Sequence, residues 1–81
     1  MQKLEREYLG VVRRFDRALD LAEKGHRLGR FIFMLDRQLE KYERALGRPR
    51  VIRVLRRYGL SREDVRRVVA NMDRWGIFQR N

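Results

Sequence analysis

The chain has 81 residues and a mass of 9.9 kDa, the size of one domain or of one subunit in an assembly. It has no Cys, no Thr, one Ser and one His. That removes disulfides, zinc–thiolate sites and almost all material for nucleophilic catalysis, so an enzyme is not expected. No cofactor or metal is expected either, because metal sites need several convergent ligands and His26 has no His or Cys partner.

The longest apolar run is five residues, Phe31 to Leu35, against about 20 for a membrane-spanning helix. The amino terminus mixes both charge signs and does not read as a signal peptide. The expectation is a cytoplasmic, nucleoid-associated protein or a virion protein without a membrane. Its 21 Lys and Arg against 11 Asp and Glu give a net charge of +10, a surface that attracts polyanions. Eighteen of the basic residues are Arg. Arg forks onto phosphate and guanine, although a GC-rich or thermophilic host gives the same bias.

In chain order, Leu4, Tyr8, Val11, Val12, Phe15, Leu19 and Ala22 lie at helical spacing and predict a first helix over about 3–24. Lys24-Gly25 marks its end. Gly10 inside it marks a close helix crossing or a frayed first turn. The link 25–29 leads to a second helix over about 29–46, with Phe31, Ile32, Leu35, Leu39, Tyr42, Ala45 and Leu46 on one side. Asp36, Arg37, Glu40, Lys41 and Glu43 are expected on the other. Five consecutive apolar residues at 31–35 wrap a helix completely. Either two neighbours bury that turn or part of it meets a second copy, with Phe31, Phe33 and Met34 as candidate dimer contacts. A short strand there is the minor alternative.

Gly47-Arg48-Pro49 breaks the chain, and Pro49 can open a helix. Val51, Ile52, Val54, Leu55 and Tyr58 predict a third helix over about 49–58, closed by Gly59. Ser61 caps a fourth over about 61–75, with Asp64 at the capping-box position. Val65, Val68, Val69 and Met72 form its inner stripe. The charge divides at the same break: residues 1–46 hold 11 basic and 8 acidic side chains, residues 47–81 hold 10 and 3. The expected fold is therefore all-α, a single domain over 1–81. A long antiparallel helical hairpin (1–46) serves as scaffold, and a basic helix-turn-helix (47–81) follows.

The segment VIRVLRRYGLSREDVRRVVA, Val51 to Ala70, resembles a helix-turn-helix of the winged-helix or repressor type, and the resemblance extends to Phe78. Gly59 opens the turn, Leu60 is its buried residue, Ser61 caps the second helix, and Val65 and Val68 pack it on the first. Leu55 departs from the small residue usual at its position and would push the crossing apart. The wing is expected to be absent or reduced, with Trp75-Gly76-Ile77-Phe78 resembling the start of its first strand.

The resemblance implies that the last helix enters a major groove. Ser61, Arg62, Glu63, Arg66, Arg67 and Ala70 would then contact bases. Arg48, Arg50, Arg53, Arg56, Arg57 and Arg74 would hold phosphates. The expected partner is nucleic acid, duplex DNA before RNA, and the expected state is a homodimer or a subunit of a larger assembly. Two other readings fit the composition. One is a small basic subunit of a nucleoprotein particle: ribosome-associated, a CRISPR small subunit or a viral nucleocapsid component. The other is a helical interaction module with an acidic protein partner. The aromatics Phe33, Trp75 and Phe78 are the ones expected at the surface.

Overall fold

The structure is a computed structural model and describes residues 1–79. Four helices follow one another: α1 (Lys3–Glu23), α2 (Gly29–Leu46), α3 (Arg48–Tyr58) and α4 (Arg62–Arg74). No strand occurs among the described residues, and the run at 31–35 lies within α2. The all-α class expected from the apolar spacing is what the chain adopts.

Local chemistry sets the helix ends. Gly59 sits at φ +116°, in the left-handed region that a β-carbon disfavours. Its N–H donates to the Arg56 carbonyl at 3.1 Å, and the Leu60 N–H donates to the Leu55 carbonyl at 3.2 Å. This is the paired closure of a Schellman motif. The same pair of bonds ends α1 at Gly25-His26 and α4 at Gly76-Ile77. Residues Trp75 to Phe78 therefore form a turn, not the start of a strand. Residues 80–81, where a reduced wing would run on, lie outside the described residues. At the start of α4, the Ser61 Oγ accepts from the Asp64 N–H at 3.1 Å, the cap that the sequence announces.

The core takes Tyr8, Val11 and Ala18 from α1, Leu35, Leu39 and Leu46 from α2, Val51, Val54 and Leu55 from α3, and Val65, Val69 and Met72 from α4. Val51 and Val54 are fully buried, and each such side chain contributes roughly 1.5–3 kcal/mol. Leu55, expected to push the α3–α4 crossing apart, belongs to this core. α1 runs along α2, and α3 contacts both. The α4 backbone approaches that of α3 alone, with none of its Cα atoms within 8 Å of one in α1 or α2; towards α1 and α2 it presents side chains, Val68 and Met72 among them.

Several expectations about facing are corrected. In the last turns of α1, Ala18 points inward and Leu19 lies 39% exposed, lining a surface pocket with Tyr58 at the end of α3. In α2 the buried line is Leu35, Leu39, Glu43 and Leu46, and Phe31, one turn before it, and Ala45 are exposed. Glu43, expected on the charged face, is only 6% exposed. Its Oε2 accepts from the Tyr8 hydroxyl at 2.8 Å, and that bond is why a carboxyl is tolerated there. Two further tyrosine bonds brace the scaffold: Tyr42 donates to Glu7 at 3.3 Å and Tyr58 to Asp16 at 2.6 Å.

Burial pushes the Glu43 carboxyl up to about 7, against the lowering effect of the Tyr8 bond; Asp36 and Glu40 add to the rise. The Tyr8 phenol is driven far above its ordinary value, first by burial and then by Glu43. The raised Glu43 value means that this group stabilises the fold fully below about pH 4.5, its ordinary value, and loses that contribution as pH rises to about 7.

Two predictions follow from this packing. Gly10 lies inside α1, and a β-carbon there would meet nothing within 4 Å, so neither a close crossing nor a frayed turn accounts for it. Gly10→Ala should raise stability by about 0.5–1 kcal/mol in a urea titration. Glu43→Gln keeps an acceptor for Tyr8 and removes the titration. It should be more stable than wild type at pH 8 by up to about 3 kcal/mol and equal to it near pH 4.5, read as the difference between thermal melts across that range.

Candidate nucleic-acid interface

The expected contact residues sort into distinct places. On α4, successive residues turn by 100°. Arg62, Arg66, Ala70, Glu63, Arg74 and Arg67 therefore share one continuous arc of about 140°, and all six are exposed. The near edge of this arc forms the lip of a groove shared with α3. Arg48, Ile52 and Arg56, one turn apart, provide the α3 wall; Arg62, Val65, Arg66, Val69, Ala70 and Asp73 provide the α4 wall. The groove encloses about 350 Å³. Its floor is aliphatic, and its rim carries four guanidinium groups from two helices.

Arg48 forms an ion pair with Asp73, joining the start of α3 to the end of α4, and lies 5.8 Å from the centre of the Phe78 ring. It is fixed and still about half exposed. Among the described residues, Arg53, Arg56, Arg57, Arg62, Arg66 and Arg74 have neither an ion-pair partner nor a hydrogen-bond partner. Arg53 and Arg57 lie a further 100° around α3 from the groove wall, exposed on the outer side.

Three of the expected contacts have other commitments. The Ser61 Oγ is engaged by the Asp64 N–H. Arg67 and Glu63 face each other across 3.9 Å on the open surface, a pairing worth only a few tenths of a kcal/mol. Arg50, expected on phosphate, turns to α1 instead. It donates to Gln2 and lies 3.4 Å from Glu5. Glu5 is almost wholly buried, and its Oε2 has no partner, so Arg50 is the cation that offsets a buried carboxylate.

Glu5 and Glu43 were missed from the sequence. The signal for Glu5 was its place three residues before Tyr8, on the stripe that α1 turns inward. Of the aromatics expected at the surface, Phe33 and Trp75 are 62% and 78% exposed, while Phe78 is half-buried. His26 is exposed in the link. Among the described residues no group of three or more His, Cys, Asp or Glu could hold a metal ion, and no helix is long and apolar enough to cross a membrane. No protein-family profile, curated protein or solved structure matches this chain.

Arg50→Ala should lower stability by roughly 3 kcal/mol, the low end for breaking a buried pair because Arg50 is itself one-third exposed. Chemical denaturation reads that loss.

Proposed function

We propose that the chain binds nucleic acid through the exposed arc of α4 and the arginines flanking it on α3, with duplex DNA as the favoured polymer. The observation that carries this reading is the α3–α4 groove, where four arginines from two helices converge over an aliphatic floor. The charge around it is one-sided, with 10 basic and 3 acidic side chains in residues 47–81. The 13-residue α4, about 20 Å long, has the roughly 10–12 Å diameter that a major groove about 12 Å wide admits.

In this pose Arg62, Arg66 and Arg67 lie nearest base edges and Ala70 permits close approach. Arg48, Arg56 and the outer Arg53 and Arg57 meet phosphates, which position without reading sequence. Two copies joined through Phe31, Phe33 and Met34 would double the base pairs read. The same exposed apolar turn favours a second reading, a subunit of a nucleoprotein particle held to its neighbours by that turn.

A titration against duplex DNA, single-stranded DNA and duplex RNA over a salt series separates the two. With about five phosphates neutralised, the log–log salt slope on duplex DNA should be about −4.5. Arg53→Ala/Arg57→Ala, which removes two phosphate contacts, should weaken binding and reduce the slope by about 1.8, whereas Arg62→Ala/Arg66→Ala should weaken binding and relax sequence preference. Arg67→Ala should have the smaller effect, because its charge is already shared with Glu63. Equal affinity for all three polymers would favour the particle subunit. No binding at low salt would end both readings.

A further inference from the structure

α4 has a second flank, turned away from the groove. Between it and α1–α2 lies a cleft of about 560 Å³, within the size range of small-ligand sites. Phe15, Leu39, Val68, Met72, Trp75 and Ile77 supply apolar walls. The charged residues lining it are Asp36, Glu40 and Glu43, all on α2. In a chain of net charge +10, this cleft has an acidic wall and no basic lining residue.

Glu40 is held by Arg44, at 2.8 Å. Glu43 has no such cation among the described residues. Its Oε2 accepts from Tyr8, α4 faces it with Val68, Asn71 and Met72 and no charge, and the rest of the carboxyl borders the cleft. A more than nine-tenths buried carboxyl beside apolar and aromatic walls is complementary to a positive charge on an apolar body. The three carboxylates do not converge into a metal site, and the apolar and aromatic walls suit an organic cation. We propose that the cleft between α4 and the α1–α2 pair binds a lipophilic organic cation, an aromatic body with its charge against Glu43. This assignment is independent of the nucleic-acid reading.

Tetraphenylphosphonium is a suitable probe, because it is aromatic, permanently charged and does not titrate. Triphenylphosphine oxide is its neutral counterpart. Binding is measured by calorimetry on the nucleic-acid-free chain. The fluorescence of Trp75, the only tryptophan, reports from the cleft wall.

The expected result is one site per chain, a change in Trp75 emission, and at least tenfold weaker binding of the oxide. Glu43→Gln, which keeps the Tyr8 acceptor, should weaken the cation at least fivefold. Val68→Phe, which fills the cleft, should weaken both probes. Because a bound cation favours the ionised carboxyl, affinity should rise several-fold from pH 5.5 to pH 8 in the wild type and stay flat in Glu43→Gln. Equal binding of cation and oxide, an unchanged affinity in either variant, or no binding at all would overturn the proposal.

Discussion

Two carboxylates inside a small core set the arrangement of the first three helices. Glu5 and Glu43 are each tolerated only with a partner from another helix: Arg50 of α3 for Glu5, and Tyr8 of α1 for Glu43. Each pairing has a short reach, so α1 must lie at a fixed register against α2 and α3. The burial of Tyr8, Val51 and Val54 supplies favourable free energy, and the polar pairs tie α1 to α3 and to α2. The outer bonds of Tyr42 to Glu7 and of Tyr58 to Asp16 repeat that register at the surface.

Around this scaffold the charges are separated by direction. Of the acids of α1 and α2, Glu5 and Glu43 are drawn inward, Glu7 and Asp16 accept from tyrosines, and Asp20 and Glu40 pair with Lys24 and Arg44. The arginines of α3 and α4 have few acids within reach, and most project outward without partners. α4 therefore stands between two surfaces of opposite character. One flank shares an arginine-rimmed groove with α3, and the other faces an acidic, apolar cleft. Asp73 is the acid that crosses this division, and its bond to Arg48 holds the end of α4 to the start of α3.

Much of the fold was legible because its signals are local. Gly25, Gly59 and the Ser61 cap act within a few residues of themselves, and the helix limits follow from them. The apolar stripes gave the correct elements but not every facing. Ala18 and Leu19 are 100° apart, and which one points inward is set by helices packed from elsewhere in the chain, which no local pattern contains. The burial of Glu43 was hidden for a related reason, since its partner Tyr8 is 35 residues away. Arg50 read as one more basic residue in a basic stretch, because its acid lies on α1. On the candidate interface, charge and helical spacing placed Arg62, Arg66 and Ala70 on one face. The α3 wall of the groove, built from Arg48 and Arg56, emerges only when the two helices are packed.

The attachment of α4 has a consequence for how the molecule opens. Its backbone approaches only α3, its neighbour in sequence, while α1, α2 and α3 are tied to one another across long separations. Protection of backbone amides against exchange should therefore fall into two classes, because structure opens in cooperative units whose free energies follow their contacts. α1, α2 and α3 form the slow-exchanging unit. α4 forms a faster one hinged at Gly59 to Ser61, tethered at its far end where Arg44 of α2 donates to the Gly76 and Ile77 carbonyls, so the segment carrying the basic arc opens before the other helices.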